Sequence, residues 1–260
     1  MSDFTSRYGD WALVAGASEG LGAAFAEQLA ARGMNLLLIA RREDVLAEVA
    51  ERLTHKYGVE ARCLALDLAR ADLAPAIQEV VEDCSPGVLV YNAALIPTGP
   101  FAELEQEKLE RLVRINVLGP LTLTRTLLEP MQERGRGAVV LMSSMSGIQG
   151  WPGIATYAAS KAFNTILGEG LWYELGKHGI DVVVSCPGAI STPGYHRNFR
   201  RVAPGILSPE AVATTTLDAL GKGPRVIPGA LNRIGNQLIT RLLPRKPLIR
   251  LIGKYIGKAI

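Results

Sequence analysis

The chain has 260 residues, of which 48% are hydrophobic and 20% are charged, and its net charge is +3. This length and composition suit one large α/β domain or two small ones and exclude a disordered chain. Three scattered cysteines form no disulfide framework or metal-ligand spacing, and three scattered histidines also argue against a metal site.

The amino-terminal residues MSDFTSRYGDW contain no apolar signal region. No apolar run reaches the length of about 18 residues that a membrane span needs. We therefore expect a cytoplasmic protein.

Short apolar runs alternate with amphipathic stretches along the chain. Nearly continuous apolar runs are typical of strands in parallel sheets, because both faces of such sheets are covered. The alternation predicts right-handed crossovers and one doubly wound α/β domain over residues 1–230, with a mostly parallel sheet of roughly seven strands. The predicted strands are WALVA (11–15), NLLLIA (35–40), ARCLAL (61–66), GVLVY (87–91), AVVLMS (138–143), DVVVSC (181–186) and a weaker RVIPG (225–229).

Helices are predicted over AAFAEQLAARG (23–33) and EDVLAEVAERLTHKYG (43–58). Each ends on a glycine, a residue that can adopt the left-handed conformation that closes a helix.

The first predicted strand leads into a glycine loop, AGASEGLG (15–22). Gly16 permits the tight turn, while Gly20 and Gly22 let backbone amides approach a pyrophosphate and let the following helix pack on the sheet. Its position between a strand and a helix makes this loop a strong sign of dinucleotide binding. The ligand is expected beyond the carboxyl ends of the strands, where the strand order reverses.

The end of the second predicted strand indicates which dinucleotide is bound. NAD-binding proteins commonly have an acid there, but this strand ends in Ala40, followed by Arg41 and Arg42. Guanidinium groups pair with a 2′-phosphate, which favours NADP(H) over NAD(H), with Ser18 as a second phosphate ligand. The alternative is that both arginines only begin a solvated helix.

A phenol and an amine lie four residues apart in SSMSGIQGWPGIATYAASKAF (143–163). On a helix, Tyr157 and Lys161 share a face, and a nearby ammonium lowers the pKa of a phenol from its usual value of about 10. Such a phenol can exchange a proton with a carbonyl oxygen during hydride transfer. The spacing alone would also suit a surface Tyr–Lys pair.

Taken in order, these motifs resemble the short-chain dehydrogenase/reductase family of the Tyr-x-x-x-Lys type over about residues 8–230. The motifs are GASEGLG (16–22), AspLeu (67–68), AsnAlaAla (92–94), Asn116 in INVLG, Ser144, Tyr157 with Lys161, and ProGly (187–188) with Thr192. Two positions depart from the family pattern, since Ala94 replaces a glycine and Ala15 replaces a threonine. The stretch RYGDWALVAGASEGLG is also similar to some bacterial hydroxysteroid dehydrogenases.

The resemblance implies a Rossmann domain, a homodimer or homotetramer, and a role for each motif. Ser144 and Tyr157 would hold the substrate oxygen, Lys161 would activate the tyrosine, and Asn116 would hold a water that links Lys161 to solvent. Ser143 would be structural, and Asp67 would bind the adenine amine. The implied cofactor-binding residues are Gly16, Ser18, Gly20, Leu21, Gly22, Arg41, Arg42, Asp67, Leu68, Asn92, Ala93, Ala94, Tyr157, Lys161, Pro187, Gly188, Ile190 and Thr192.

The substrate pocket is expected between the segment after Ser144 and the long loop AISTPGYHRNFRRVAPGILSPE (189–210), which has the composition of a mobile lid. Its predicted lining residues are Met145, Ile148, Trp151, Tyr195 and Phe199. They favour a bulky apolar ketone, aldehyde or alcohol, steroid-like or lipid-like. The lid arginines Arg197, Arg200 and Arg201 either recognise an anionic group of the substrate or are solvated.

Residues 231–260 form a basic amphipathic extension. Nine of the 28 Lys and Arg residues follow Asp218, where the sequence has no Asp or Glu. After Pro247, the basic residues are predicted to lie on one helix face and Leu251, Ile252, Tyr255 and Ile256 on the other. Such a helix docks on an anionic membrane surface or on another subunit. The rival function is therefore a membrane-associated binding protein with an idle Rossmann core, whereas nucleic-acid binding is disfavoured because the extension lacks interleaved aromatics and the body is acidic.

Overall fold

A sheet of seven strands forms the centre of the computed structural model, which describes residues 3–198, 203–242 and 244–256. The spatial order is β3-β2-β1-β4-β5-β6-β7, and every neighbouring pair of strands is parallel. The strands are β1 (Trp11–Ala15), β2 (Asn35–Ala40), β3 (Ala61–Ala65), β4 (Val88–Tyr91), β5 (Gly137–Met142), β6 (Ile180–Ser185) and β7 (Arg225–Val226). The predicted doubly wound α/β fold is confirmed.

Helices cover both faces of the sheet. They are α1 (Asp3–Tyr8), α2 (Gly20–Ala31), α3 (Glu43–Tyr57), α4 (Leu73–Cys84), α5 (Gln106–Val113), α6 (Gly119–Glu133), α7 (Ala155–Gly176), α8 (Pro193–Asn198), α9 (Pro209–Leu217), α10 (Ala230–Leu242) and α11 (Arg245–Ile256). Short 3-10 helices span Phe101–Glu103 and Met145–Ile148, and a π-helical segment, Arg114–Leu118, joins α5 to α6. None of the described helices has both the length and the apolar character of a membrane span.

The apolar strand sequences follow from this double coverage. Successive side chains of a strand point to opposite faces, so Ala12 and Val14 pack into one core while Leu13 and Ala15 pack into the other. Helices α2, α3 and α9 complete the first core, and α4, α6 and α7 complete the second. A strand that is buried on both faces is apolar along its whole length, so its ends are visible in the sequence. The predicted and observed strand ends accordingly agree within about one residue, except at β7.

The two predicted helices are also present. Helix α3 ends at Tyr57, and Gly58 then adopts a left-handed conformation with φ of 68°. Helix α2 begins at Gly20, within the predicted glycine loop, and ends at Ala31, two residues before Gly33. The second half of the glycine loop is therefore the first turn of a helix.

The order of the strands reverses beside β1, which pairs with β2 on one side and β4 on the other. The chain crosses over in opposite directions from this point, so the loops that follow β1 and β4 separate and leave a crevice between them. The fold thus places the crevice at the carboxyl ends of the strands, where the sequence predicts the ligand.

Candidate active site

A cleft of about 930 Å³ lies across the carboxyl ends of the strands. Most of the predicted site residues line it, namely Gly16, Ser18, Gly20, Leu21, Arg41, Arg42, Asp67, Leu68, Asn92, Ala93, Ala94, Ser144, Met145, Trp151, Tyr157, Lys161, Pro187, Gly188, Ile190, Thr192 and Tyr195. Gly22, Asn116 and Ile148 are not among the lining residues, and Phe199 lies outside the described residues. The fold therefore brings the glycine loop, the Tyr–Lys pair and the lid around one space.

Close packing fixes the glycine loop against the end of β4. Gly16 has φ of +84°, and a Cβ there would lie 2.9 Å from the backbone of Ala93. A Cβ on Gly22 would lie only 1.8 Å from the Gly16 carbonyl oxygen, so this glycine serves helix packing rather than ligand contact. The Asn92 amide donates a hydrogen bond to the same oxygen over 3.1 Å, which ties the loop to the neighbouring strand.

The first turn of α2 forms one wall of the cleft. No side chain caps this helix at Glu19, and Gly20 and Leu21 line the space in front of the helix amides. Backbone N–H groups and the positive end of the helix dipole bind anions such as a pyrophosphate. The donor set here therefore fits a dinucleotide, and the glycines leave room for its close approach.

The two arginines after β2 lie at the far end of the cleft. Arg42 forms an ion pair of 2.9 Å with Glu19, and Arg197 of helix α8 pairs with the other carboxylate oxygen of Glu19. The two guanidinium groups, Arg197 before Arg42, lower the pKa of Glu19, against a smaller opposing effect of burial. The sequence analysis did not single out Glu19. A carboxylate within a loop that is expected to bind phosphate is unusual, and this could have drawn attention to it.

The Asp67 carboxylate has two hydrogen-bond donors that lie outside the AspLeu motif (67–68). Its carboxylate accepts hydrogen bonds from the Ala69 amide at 3.0 Å and from Arg111 of α5 at 2.6 Å. Although burial acts in the opposite direction, these two donors lower the pKa of Asp67. Asp67 is thus ionised and oriented at the cleft wall, where the family resemblance places the adenine.

Tyr157 and Lys161 lie on the first turns of α7, one turn apart. The Lys161 ammonium donates a 2.8 Å hydrogen bond to the Met142 carbonyl at the end of β5 and lies 5.5 Å from the centroid of the Tyr157 ring. Ser143 fastens this part of α7, because its hydroxyl donates to the Lys161 carbonyl over 2.7 Å. The structural role that the sequence analysis expects for Ser143 stays a prediction.

The electrostatics of the pair differ from the expectation. Burial raises the pKa of Tyr157 to about 12, and the hydrogen bond with the Ser144 hydroxyl offsets only part of that increase. Burial also lowers the pKa of Lys161 to about 8. The expected lowering of the Tyr157 pKa by the ammonium is absent because both groups leave water, and desolvation penalises the charged form of each.

Asn116 is fully buried in the π-helical segment between α5 and α6. Its amide nitrogen donates to the Leu95 carbonyl at 2.9 Å and to the Ser160 hydroxyl at 3.0 Å, and its oxygen accepts from the Leu95 amide at 2.8 Å. The side chain therefore joins the loop after β4 to helix α7. Its implied role in a water relay stays a prediction.

Ser144 directly precedes the 3-10 helix that follows β5 and caps it. Its oxygen accepts hydrogen bonds from the Ser146 amide at 3.1 Å and from the Ser146 hydroxyl at 3.0 Å. A hydroxyl has two lone pairs and one hydrogen, so these two bonds leave the single hydrogen of Ser144 free to be donated either to the Tyr157 oxygen or to a substrate oxygen.

The substrate side of the cleft is largely apolar. Met145, Trp151, Ile154 and Tyr195 line it, together with Leu95, Ile96 and Pro97 from the loop after β4. Ile148 lies one 3-10 turn beyond Met145, which carries it about 6 Å further along the helix and out of the lining. The loop after β4 was missed as a pocket wall, because its sequence has no regular pattern.

Helix α11 packs against the outside of this wall. Leu248 and Ile252 are buried and form a small apolar cluster with Trp151. The sequence analysis expects Ile252 to lie on a face that docks on a membrane or on another subunit, but the same chain covers this side chain. Leu251 is exposed, and the side chains of Tyr255 and Ile256 lie outside the described residues.

Helix α8 lies within the predicted lid, of which residues 189–198 and 203–210 are described. Thr192 accepts a 3.1 Å hydrogen bond from the Tyr195 amide at the start of this helix. The Tyr195 hydroxyl in turn accepts from the Ala203 amide over 3.1 Å, which links α8 to the later part of the lid. Arg197 projects from this helix to the glycine loop, whereas Arg200 and Arg201 lie outside the described residues.

A dinucleotide-type cleft that is also lined by a Tyr–Lys pair, with the lysine buried and the tyrosine partly exposed, defines a nicotinamide-dependent oxidoreductase. The profile of the short chain dehydrogenase family matches residues 10–202, and the chain belongs to this family. It is 33% identical to a 7β-hydroxysteroid dehydrogenase of Clostridium sardiniense over 255 residues, which cover 97% of both proteins.

Solved structures give the same assignment. A 7β-hydroxysteroid dehydrogenase structure matches with a TM-score of 0.89 and 30% identity, covering 95% of this chain and 98% of the other. A short-chain dehydrogenase from Sphingobium yanoikuyae in complex with NADPH matches with a TM-score of 0.77 and 28% identity, covering 91% of this chain and 98% of the other. The protein is thus an oxidoreductase of small molecules that acts on CH–OH groups.

Proposed function

We propose that this protein is an NADP(H)-dependent enzyme that interconverts a bulky apolar ketone or aldehyde, steroid-like or lipid-like, and its alcohol. The observation that carries this proposal is the continuity of the cleft. The glycine loop and the two arginines line one end, Ser144, Tyr157 and Lys161 line the middle, and apolar side chains surround the other end.

The chain's own residues supply the proton chemistry, and a bound nicotinamide dinucleotide supplies or takes up the hydride. In reduction, the Tyr157 hydroxyl gives its proton to the carbonyl oxygen as the C=O double bond becomes a C–O single bond. The Ser144 hydroxyl donates a hydrogen bond to the same oxygen and stabilises its developing negative charge. The Lys161 ammonium stabilises the phenolate left on Tyr157, which then regains a proton from solvent.

Arg41 and Arg42 support the preference for NADP(H), since both line the cleft directly after β2, and the strand itself ends in Ala40 rather than in an acid. The NADPH complex of the Sphingobium yanoikuyae relative is in keeping with this preference. We expect the double variant Arg41→Ala/Arg42→Ala to bind NADPH about 10- to 100-fold more weakly, because charge-assisted hydrogen bonds to the 2′-phosphate are lost. Affinity for NADH, measured in the same fluorescence titration, should change little; an equal loss for both dinucleotides would contradict this assignment.

The apolar end of the cleft supports a bulky substrate, and the relatives include 7β-hydroxysteroid dehydrogenases. The test is a panel of keto-steroids, long-chain ketones and small ketones with NADPH, and of the matching alcohols with NADP⁺, followed by absorbance at the nicotinamide band. We expect kcat/KM to be highest for the large apolar members. Turnover of small polar ketones alone would contradict the proposal.

The second candidate function is a membrane-associated binding protein without turnover, and the described part of the basic extension favours the membrane contact. Leu231, Ile234 and Leu238 recur along α10 and are 74%, 55% and 53% exposed. Basic amphipathic helices bind anionic lipid surfaces through such a stripe. The cleft with its Tyr–Lys pair favours an enzyme, so we propose a peripheral contact made by a working oxidoreductase, with α10 rather than α11 as its anchor.

Vesicle flotation of the full chain tests this contact. The variant Ile234→Glu/Leu238→Glu should lose binding to vesicles with anionic lipid, whereas Phe101→Glu, which charges another exposed apolar position, should not. Equal flotation of all three proteins would refute the contact. Substitutions are preferable to truncation at residue 230, because truncation would also remove α11 from Trp151.

A homodimer or homotetramer is the proposed assembly. Val113, Leu118 and Leu121 are exposed along α5 and α6, and Ile166 and Tyr173 are exposed on the adjacent α7. Apolar faces of this kind mark protein–protein contacts. Light scattering should give the mass of a dimer or tetramer for the native chain and a smaller mass for Ile166→Asp; a monomeric native chain would refute the assembly.

A further inference from the structure

An acidic side chain occupies the phosphate end of the cleft. Glu19 is the residue immediately before α2, yet its side chain does not cap that helix. It instead points sideways, where each carboxylate oxygen pairs with a different arginine. Oε2 accepts from Arg42 at 2.9 Å, and Oε1 accepts from Arg197. The three residues belong to the glycine loop, the segment after β2 and helix α8, and all of them line the cleft.

A negatively charged carboxylate is unexpected at a site that is proposed to bind a negatively charged phosphate. A dinucleotide phosphate is repelled by Glu19 and attracted by the arginines. Arg42 cannot pair fully with both the Glu19 carboxylate and a 2′-phosphate. If a 2′-phosphate binds Arg42, Glu19 therefore loses one of its two arginine partners. Arg197 then remains as the group that neutralises Glu19, and the ion pair between the glycine loop and α8 strengthens.

We propose that Glu19 is a specificity-determining residue that couples the 2′-phosphate site to the lid through Arg197. Arg197 makes the phosphate end tolerant of NADP(H) by neutralising Glu19 rather than by binding the phosphate. In return, NADP(H) holds α8 against the glycine loop, beside the substrate pocket. This inference rests on the proposed preference for NADP(H), and it adds a positioning role for a lid arginine that the sequence analysis left open between substrate recognition and solvation.

A double-mutant cycle on dinucleotide binding tests the coupling. The proteins are the native chain, Glu19→Gln, Arg197→Gln and the double variant, each titrated with NADPH and with NADH by fluorescence. Arg197→Gln should weaken NADPH binding about two- to fivefold, the range expected for a partly exposed ion pair, and should leave NADH binding nearly unchanged. Glu19→Gln should tighten NADPH binding, and in that background Arg197→Gln should have no further effect.

Arg52→Gln is the matched control, because it removes the same charge and a comparable ion pair, with Glu27, outside the cleft. Its affinity for NADPH should equal that of the native chain. An effect of Arg197→Gln that is absent, equal for both dinucleotides, or unchanged when Glu19→Gln is also present would overturn the inference. A native chain that binds NADH more tightly than NADPH would instead refute the proposed cofactor, so the two failures are distinguishable.

Discussion

The Lys161 ammonium lies 5.5 Å from the centroid of the Tyr157 ring and donates its hydrogen bond to the Met142 carbonyl. The end of β5 therefore fixes the position of the Lys161 ammonium next to the ring of Tyr157, which lies on the same helix. Lys161 is buried and Tyr157 is partly buried, which makes the neutral form of each more favourable than in solution. The predictions on catalysis follow from these two groups.

Removal of the phenolic hydroxyl should abolish proton transfer and leave the fold intact. We expect Tyr157→Phe to lower kcat/KM for ketone reduction by at least about 100-fold, since general acid catalysis contributes about 10²–10⁴. The affinity for NADPH should change by less than about threefold, because the backbone of the glycine loop provides most of the donors at the phosphate end. Steady-state rates and fluorescence titration measure the two quantities.

Tyr57→Phe is the control for this substitution. It removes another phenolic hydroxyl, at the end of α3, which donates to Glu27 of α2 outside the cleft, and should leave both quantities unchanged. Turnover of Tyr157→Phe within about twofold of the native rate would show that another group protonates the substrate.

The pH dependence should have opposite signs in the two directions. The folded chain lowers the pKa of Lys161 to about 8 and raises that of Tyr157 to about 12, so the pair loses its first proton near pH 8. Reduction consumes a proton, and its kcat/KM should be level below about pH 8 and fall about tenfold per pH unit above it. Alcohol oxidation needs the pair with one proton fewer, so its kcat/KM should rise with pH and level off above about pH 8.

Lys161→Arg tests the assignment of this break. A guanidinium keeps its proton to a pKa above about 12, so the break in both profiles should move to higher pH or disappear. A break that stays near pH 8 in this variant would mean that another group titrates.

The fold and the reaction centre were predictable because each depends on neighbours in the sequence. Strands such as β1 and β2 are apolar runs, and Tyr157 and Lys161 share one turn of one helix. Arg111 reaches Asp67, and Arg197 reaches Glu19, from segments 44 and 178 residues away. No local pattern encodes such contacts, since each depends on where the sheet order places two distant loops.

The surroundings of the basic extension (residues 231–260) could not be predicted from the sequence either. Its basic amphipathic pattern is real, but helical periodicity does not tell whether an apolar face meets lipid, another subunit or the same chain. The structure places Leu248 and Ile252 of α11 on Trp151, and leaves Leu231, Ile234 and Leu238 of α10 exposed. Two neighbouring amphipathic helices thus have different surroundings.

Loss of the α11 contact should impair the substrate pocket more than the cofactor site. In Leu248→Ala/Ile252→Ala, the apolar support behind Trp151 is removed, so the wall should loosen and KM for a bulky ketone should rise several-fold. The affinity for NADPH should be unchanged, because the glycine loop lies at the other end of the cleft. Leu251→Ala is the control on the same helix, since this side chain is 60% exposed. Equal kinetics for the two variants would show that α11 does not shape the pocket.

Two glycines of α7 should differ sharply in their tolerance of a methyl group. A Cβ on Gly168 would lie 2.2 Å from Cγ2 of Val184 in β6, whereas no atom lies within 4 Å of a Cβ on Gly176. Gly168→Ala must therefore push α7 away from the sheet, and α7 holds Tyr157 and Lys161 over the end of β5. We expect its free energy of unfolding to fall by about 1–3 kcal/mol, the usual effect of overpacking a core. Gly176→Ala should change it by less than about 0.5 kcal/mol.

Urea titration followed by circular dichroism measures both values, and ketone reduction in the folded range reports on the position of α7. Gly168→Ala should also lower kcat, because a small shift of α7 moves the Tyr157 hydroxyl relative to Ser144, which follows β5. Equal stability and activity of Gly168→Ala and Gly176→Ala would show that the close contact between α7 and Val184 does not exist in solution. The positioning of Tyr157 by the sheet would then need another explanation.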